Sequence, residues 1–501
     1  MEVIGRSRAC IKVRAVLALA GVVSAGGLVL APVGAAPGEQ PGYRRLVELE
    51  STRTFSDELT AALASDDARL AGRAALALGR SGDPRAAGPL KNATAAQDVS
   101  LRALAVYGYG LMAAKTPLET KLVAYFLADR AGPVRIAAAD AAWRAQAAKN
   151  PGAGALAAPL LAMASGDADP IVRGRAATAL SGWKDAPNAR ALAAGLQRAL
   201  AREKSPTVRW HLAWTLRRAF ALQTDPATIR AGLADREELV RIQFVDLIAR
   251  RKQLAAIRQV QPLLNDPSWR VREQAHETIK VLAGLQRTDH LGAIPAEVVT
   301  PSPAPANTEP PLPRPSGLPK PSKPLPADAR LDLPLRPATS ALMDGPMPGP
   351  HPRVRIGTTK GPIVVRLYPE WAPLTVANFL NLVDRGYYDN LRWFRIVPDF
   401  VVQTGDPNDN GEGDAGYTIP AEENPLEQRS GVISMGLNYT EGKNPGPIRD
   451  SAGTQFYITI SPQLHLNRDF TVFGEIVSGF ATLGRLTEAD HMTKVERLAD
   501  R

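Results

Sequence analysis

A valine–arginine pair recurs at a nearly constant interval in the first half of the chain, and this recurrence limits the possible folds more than any other feature. The valines are Val134, Val172, Val208, Val240 and Val271, which are separated by 38, 36, 32 and 31 residues. A period in this range is typical of stacked two-helix repeats, in which each helix pair buries its apolar face against its neighbours. The sequence therefore predicts an α-solenoid.

The residues just before these pairs are suited to starting a helix. Asp169-Pro170 precedes one copy and Asp266-Pro267 precedes another. An Asp side chain caps free N–H groups at a helix start, and proline fits the first turn. The pattern resembles the HEAT repeat, and fainter copies begin near Leu70 and Leu101. We expect a HEAT-like helical repeat array over residues 37–287, which would serve as a scaffold for docking client proteins or a protein partner.

Proline accumulates in the segment that follows, residues 288–352. Residues 295–352 hold 18 of the 43 prolines of the chain. Because proline has a fixed φ and no backbone N–H donor, this segment is unsuited to helix or sheet, and an extended polyproline-II-like chain is expected. The composition predicts a semi-rigid, proline-rich linker between two folded parts.

Strand patterns replace the helical pattern from residue 353 onward. Residues 354–356 and 361–368 predict a hairpin, because apolar residues alternate with others on both sides of a glycine turn. Residues 372–382 predict a helix with Pro373 in its first turn. Many short strands with one or two helices fit a closed antiparallel β-barrel.

Three segments of this C-terminal part resemble the signature segments of one family, in the same order. They are residues 394–406 (FRIVPDFVVQTGD), 451–459 (SAGTQFYIT) and 465–474 (HLNRDFTVFG). The family is that of the cyclophilins, which are peptidyl-prolyl cis/trans isomerases. The resemblance implies a cyclophilin-type isomerase domain with a closed antiparallel β-barrel over residues 353–501.

The chemistry of prolyl isomerisation explains why such a site needs a fixed cation beside an apolar pocket. Rotation about an X–Pro bond faces a barrier of about 18–20 kcal/mol, because the C–N bond has partial double-bond character. In the twisted transition state the prolyl nitrogen becomes a better hydrogen-bond acceptor, so a fixed donor stabilises that state more than the planar one. By resemblance Arg395 is this donor, and Gln403 orients it and binds substrate backbone. The resemblance also implies a set of substrate-binding residues: Phe394, Phe400, Val401, Gly436, Gln455, Tyr457, His465, Leu466 and Phe470.

Several positions depart from the family pattern and leave a second interpretation open. His465 stands where animal members commonly have tryptophan, and Phe470 stands where many members have histidine or tyrosine. The family segment Met-Ala-Asn reads Met435-Gly436-Leu437 in this chain. The alternative is a non-catalytic scaffold whose barrel only binds proline-containing segments. For the apolar members of the set, the alternative is an ordinary place in the barrel core.

The N-terminus has the pattern of an export signal. Basic residues open the chain, no charged residue occurs from Ala15 to Gly38, and small residues offer cleavage sites after Ala35 or Ala36. Residues 1–36 are therefore predicted to be a signal peptide, and the protein to be exported to the periplasm or another extracytoplasmic space. The alternative is an uncleaved membrane anchor.

Charge and composition restrict the partners and the chemistry. The chain carries a net charge of +10, whereas residues 353–501 hold 15 basic and 19 acidic residues, so the excess lies in residues 1–352. In arginine-rich helices this charge is typical of solvated faces, and no nucleic acid is expected. The expected partners are proline-containing unfolded or partly folded proteins. No metal or other cofactor is expected, because the six histidines are scattered and the single cysteine, Cys10, lies in the predicted signal.

Overall fold

The computed structural model describes residues 41–288, 351–397, 399–440 and 446–499. The predicted signal peptide lies outside these residues, as does nearly all of the predicted proline-rich linker. Within the described ranges, no helix combines the length and the apolar character needed to cross a membrane.

The N-terminal part is a helical array in which the odd-numbered helices stack side by side in one row. The fifteen α-helices found in residues 41–288 are α1 (Pro41–Ser51), α2 (Asp57–Leu63), α3 (Ala68–Ser81), α4 (Ala87–Ala93), α5 (Val99–Leu111), α6 (Thr120–Phe126), α7 (Gly132–Ala147), α8 (Ala157–Gly166), α9 (Pro170–Ala179), α10 (Ala189–Arg202), α11 (Pro206–Ala219), α12 (Pro226–Leu233), α13 (Glu238–Arg251), α14 (Ile257–Val260) and α15 (Trp269–Thr288). Each odd-numbered helix contacts the next odd-numbered helix from α1 to α15. The predicted helical-repeat array is confirmed.

A helix begins at the proline of one predicted Asp-Pro pair, but not at the proline of the other. Asp169 Oδ1 accepts a hydrogen bond from the backbone N–H of Ile171 at 2.8 Å, and α9 begins at the proline between them. Asp266 lies three residues before α15, which begins at Trp269. Its carboxylate accepts a hydrogen bond from the backbone N–H of Ser268, just before the helix, at 2.8 Å, and it also binds Arg241 of the preceding repeat.

In four of the five valine–arginine pairs, the arginine joins its own repeat to the next. The pairs, with their shortest N–O distances, are Arg135–Asp167 (2.7 Å), Arg173–Glu203 (2.8 Å), Arg209–Asp235 (3.0 Å) and Arg241–Asp266 (2.7 Å). The same guanidinium groups donate to carbonyls just before their own helices, as Arg241 Nη1 does to Asp235 O at 2.8 Å. Bidentate, charge-assisted hydrogen bonds of this kind are strong and also hold the two groups in one geometry. The repeated arginine therefore sets the spacing between neighbouring repeats, and the valine before it is buried in the core.

In its described residues, the C-terminal part is a single curled antiparallel sheet of eight strands with two α-helices. The strands are β1 (Arg353–Thr358), β2 (Ile363–Leu367), β3 (Arg395–Val397), β4 (Val401–Thr404), β5 (Val432–Met435), β6 (Phe456–Thr459), β7 (Val472–Ser478) and β8 (Met492–Leu498), and the helices are α16 (Pro373–Asp384) and α17 (Phe480–Leu483). Their order across the sheet is β3-β4-β6-β5-β7-β2-β1-β8. The predicted hairpin between β1 and β2 and the predicted helix with Pro373 in its first turn are both present.

The prediction of a closed barrel is wrong, because the sheet is an open half-barrel with β3 and β8 at its edges. Among the described strands, β3 pairs with β4 alone, and it is only three residues long. The segment before β3 meets β8 through a few backbone bonds, such as Asn390 N–H to Met492 O at 2.8 Å. These bonds end before β3 begins, so no ladder joins the two edges.

The concave face of the sheet encloses an apolar core that also receives α16. Phe379 of α16 lies against Phe456 of β6 and Phe473 of β7, with ring centroids 5.4 and 5.3 Å apart. The N-terminus of α16 is capped by the buried Glu422, whose carboxylate accepts from the backbone N–H of Thr375 at 2.8 Å. A carboxylate is favoured at this end of a helix because of the free N–H groups and the helix dipole.

The sheet domain packs against the odd-numbered row of the array. Glu50 of α1 binds both Arg73 and Arg80 of α3, and all three side chains are buried. Arg73 also donates to the backbone oxygen of Glu370, and Arg80 donates to that of Trp371 at 3.1 Å. Tyr368 and Trp371 complete the contact, because they join the apolar core of the array.

Polar contacts extend this interface along the row to the last helix. Arg175 of α9 donates to the backbone oxygen of Pro425 at 2.8 Å. Arg468 Nε donates to Asp140 of α7 at 2.5 Å, and Arg270 Nε of α15 donates to Asp399 at 2.7 Å. Because helices from α1 to α15 take part, the array and the sheet domain form one extended contact.

Replacing one arginine of the repeat links should destabilise the array. Arg241→Ala leaves Asp266 buried without its guanidinium, so we expect the free energy of unfolding to fall by about 3 kcal/mol. Arg198→Ala, on the exposed face of α10, should change it by less than about 0.5 kcal/mol. Urea unfolding followed by tryptophan fluorescence measures both, and equal midpoints for the two variants would contradict the structural role of the links.

Candidate active site

Strand pairing places the predicted site residues on one face of the sheet. Arg395 of β3 lies directly opposite Gln403 of β4, and Gln403 lies opposite Tyr457 of β6. Directly opposed residues in antiparallel strands project to the same face, and neighbours along a strand project to opposite faces. The alternate residues Val402 and Ile458 belong to the sheet core. The set around Arg395 is therefore on the outer, convex face.

A small apolar cluster lies on this face, separate from the sheet core. Its buried members are Val401, Tyr457, Leu466 and Phe470, and the half-buried Phe400 and Leu437 pack against them. The rings of Tyr457 and Phe470 meet edge to face, with centroids 5.7 Å apart. These residues form a second buried cluster beside the exposed Arg395.

The guanidinium of Arg395 is held at the border of this cluster by its neighbours. Its Nη1 donates to Gln403 Oε1 at 3.2 Å, and its Cζ lies 5.5 Å from the ring centroid of Phe400. Gln403 Nε2 donates in turn to Gln455 Oε1 at 3.0 Å, and Gln455 Nε2 donates to the backbone oxygen of Gly411 at 2.9 Å. This chain of amides fixes the direction of Arg395 while the side chain stays exposed.

Gly436 lies beside this chain of amides. Its backbone N–H donates to Gln455 O at 2.8 Å, which ties the end of β5 to the residue before β6. A Cβ atom at this position would come within 3.1 Å of Gln455 Cβ and 3.4 Å of Gln403 Nε2. A larger residue would therefore require Gln455 to shift by a few tenths of an ångström.

Tyr457 brings a buried hydroxyl to the apolar cluster. Tyr457 is directly opposite Ser434 of β5, and its side chain is buried. Burial raises the pKa of the Tyr457 hydroxyl well above its usual value, so the group is neutral. A neutral ring keeps this wall of the pocket apolar in character.

His465 lies beside Phe400 and extends the wall of the cluster outward. The two rings stack, with centroids 5.6 Å apart and an interplanar angle of 15°. Partial desolvation, followed by repulsion from Arg218, Arg217 and Arg250, lowers the pKa of His465 to about 4. The ring is therefore neutral at pH 7 and serves as a flat, uncharged surface.

Not every predicted residue joins the same cluster. Phe394 is half-buried and lies near Gly411, outside the apolar cluster of Val401 and its neighbours. Tyr439 was not predicted, yet its ring lies 6.5 Å from that of Phe470 and half of its surface is exposed. In the sequence, the one feature that points to Tyr439 is that this aromatic residue comes shortly after Gly436.

In the part of the chain that the structure describes, this arrangement provides one cationic donor, Arg395, beside an apolar slot. A proline ring fits an apolar slot because burying its methylene groups is favourable. A guanidinium is always charged and presents several donors in a fixed plane. Among the described residues, no group of three or more His, Cys, Asp or Glu is arranged to hold a metal ion.

Comparison with known proteins gives matches in both parts of the chain. The family model "Cyclophilin type peptidyl-prolyl cis-trans isomerase/CLD" matches residues 353–500, and the HEAT repeat model matches residues 256–285. Peptidyl-prolyl cis-trans isomerase B of Bacillus subtilis is 42% identical over 135 residues, which are 26% of this chain and 88% of that protein. Peptidyl-prolyl cis-trans isomerase CYP18-2 of Arabidopsis thaliana is 38% identical over 138 residues, which are 28% of this chain and 82% of that protein.

A solved structure is also similar to the C-terminal part. The crystal structure of a Cryptosporidium parvum cyclophilin type peptidyl-prolyl cis-trans isomerase is 27% identical and covers 30% of this chain and 99% of its own, with a TM-score of 0.28. The family match includes the groove built by Arg395, Gln403 and the apolar cluster. The relative from Bacillus subtilis is covered over nearly its whole length at 42% identity. This chain belongs to the cyclophilin-type peptidyl-prolyl cis-trans isomerases and carries HEAT repeats before its isomerase domain.

Proposed function

We propose that Arg395 catalyses prolyl isomerisation by donating a hydrogen bond to the prolyl nitrogen while the proline ring occupies the apolar cluster. The observation that carries the proposal is the position of Arg395, which Gln403 holds at 3.2 Å on the border of that cluster. Val401, Tyr457, Leu466 and Phe470 supply the slot.

The mechanism needs no covalent step. In the planar amide the nitrogen lone pair is delocalised, and in the twisted form it becomes a localised acceptor. A donor fixed in advance stabilises the twisted form without having to reorganise, and one such donor contributes about 3–4 kcal/mol in other enzymes. Gln403 and Gln455 keep the donor aligned, and in this proposal Gln403 also binds substrate backbone.

The substrates we propose are proline-containing segments of unfolded or partly folded exported proteins. The support is the charge-free stretch from Ala15 to Gly38 after a basic start, which is typical of export signals. For the array we propose a scaffold role, in which its free surfaces dock clients or a partner. Repeat arrays of this kind offer extended binding surfaces, which favours that role.

Removing the guanidinium should abolish most of the catalysis. In the full-length protein, we expect Arg395→Ala to lower kcat/KM for a proline peptide by about 100-fold or more, because one electrostatic donor is lost. Arg355→Ala, which removes an exposed arginine of β1, serves as the matched control and should leave the rate unchanged. Exchange spectroscopy of the cis and trans peptide signals measures both rates without a coupling protease.

The same experiment distinguishes a catalyst from a pure binder of proline segments. A binder would give no exchange above background in the wild-type protein, and Arg395→Ala would change at most the affinity. Folded wild-type protein without catalysis, checked by circular dichroism, would therefore reject the proposed activity.

The proposed export can be tested on the N-terminus. We expect the native protein to be recovered outside the cytoplasm and to begin at Ala36 or Pro37, after cleavage of the predicted signal. Cell fractionation followed by mass spectrometry of the intact protein measures both. A full-length chain in the membrane fraction would support the anchor instead, and a cytoplasmic protein would contradict export.

A further inference from the structure

The wall of the site formed by the stacked rings of Phe400 and His465 is attached to the helical array on both sides. Asp399, just before Phe400, accepts a hydrogen bond from Arg270 Nε of α15 at 2.7 Å. Leu464, just before His465, is buried among apolar residues of the array. Each ring of the wall therefore follows a residue that the array holds.

The guanidinium of Arg270 is itself fixed within the array. Its Nη1 donates to Glu238 Oε1, at the start of α13, at 2.9 Å. The other carboxylate oxygen of Glu238 accepts from the hydroxyl of Ser268, just before α15. Only 18% of the Arg270 side chain is exposed. Arg270 is thus a rigid support, unlike a free arginine on a surface.

Asp399 receives this support at a turn with an unusual backbone. Both Nε and Nη2 of Arg270 donate to its Oδ1. Its φ of 57° lies in the left-handed region, which aspartate occupies more readily than most residues other than glycine. Its backbone oxygen accepts from Gln463 Nε2 at 2.9 Å and from the hydroxyl of Ser461. The array therefore holds the side chain of Asp399, and the sheet domain holds its backbone.

The position of Asp399 is passed on to the ring of Phe400. The two residues share one planar peptide group, so a rotation of the turn moves both. The Phe400 ring packs against the buried apolar cluster, and its centroid lies 5.5 Å from Arg395 Cζ. The backbone oxygen of Phe400 accepts from the N–H of Ile460 at 2.9 Å. Phe400 is therefore the link between the array and the slot.

Resting on the isomerase function proposed above, we propose that Arg270 of the array is a positioning residue of the isomerase site, which acts through Asp399 to hold Phe400 against the apolar cluster. Without Arg270, the half-buried carboxylate of Asp399 loses its guanidinium partner and is better solvated if it turns outwards. That rotation moves Phe400 away from His465 and widens the slot that grips the proline ring. The array thereby supports substrate binding by the domain that it contacts.

A role of this kind has a characteristic kinetic signature. The wall contacts the proline ring in both the planar and the twisted forms of the substrate, so its loss raises KM and leaves kcat nearly unchanged. Arg395 acts on the twisted form, and Gln403 of its own domain holds it. A contact that only tethers the two domains would change neither kinetic constant of the folded enzyme.

The test measures kcat and KM separately for a proline peptide, by exchange spectroscopy of the full-length protein over a range of peptide concentrations. We expect Arg270→Ala to raise KM by about fivefold and to change kcat by less than about twofold. The matched control is Arg272→Ala on the same helix, whose guanidinium donates to the backbone oxygens of Asp266 and Pro267 at 2.7 and 3.2 Å, inside the array. It should leave both constants unchanged.

A second variant shows whether Arg270 acts through Asp399. Asp399→Gly removes the carboxylate and still permits the positive φ. It should raise KM by itself, because it breaks the same contact from the side of the sheet domain. Adding Arg270→Ala to Asp399→Gly should then raise KM by less than about twofold, whereas independent effects would multiply.

Each outcome decides one of the two proposals. If the wild-type protein does not isomerise the peptide, the proposed function fails. If it does, the positioning role is rejected when folded Arg270→Ala keeps the wild-type KM or loses kcat instead, or when Arg270→Ala still raises KM fivefold beside Asp399→Gly. Circular dichroism checks folding. Should Arg270→Ala not fold, an unchanged KM in Asp399→Gly rejects the role, and the isomerase function stands.

Discussion

A single buried carboxylate anchors the contact on which the arrangement of the two domains depends. Glu50 binds Arg73 and Arg80, and these arginines also donate hydrogen bonds to backbone oxygens of the sheet domain. Burial alone would raise the pKa of Glu50, but the two guanidinium groups hold it below its usual value. Because a buried ion pair is costly unless every partner is in place, this group favours one docked geometry over nearby alternatives.

That geometry explains why the rim of the pocket and the array are neighbours. The first repeat positions one side of the sheet domain, and Arg468 and Arg270 position the side that carries the groove. The regular arginine links between the repeats then fix the spacing of the helices from α7 to α15.

The sequence was most informative where a feature depends on neighbours in the chain. The spacing of the valine–arginine pairs predicted the array, and the segment around Arg395 and Gln403 predicted the residues that the hairpin of β3 and β4 brings together. The open edge of the sheet was missed, because it depends on how far a three-residue strand extends. The contact between the array and the turn before Phe400 was missed as well, because Arg270 and Asp399 are distant in sequence and no local pattern connects them. Phe394 belonged to a familiar segment, yet it lies outside the apolar cluster.

An open half-barrel leaves two strand edges that could recruit other chains. Unpaired edge strands are templates for aggregation, and natural proteins shorten them, charge them or cover them. Here β3 is three residues long and begins with Arg395, while β8 carries Lys494, Glu496 and Arg497, and its Val495 N–H is taken up by Asp389 at 2.9 Å. These features protect both edges of the sheet from pairing with another strand. The charge of Arg395, to which we assign catalysis, would also oppose the pairing of β3 with a strand of another chain.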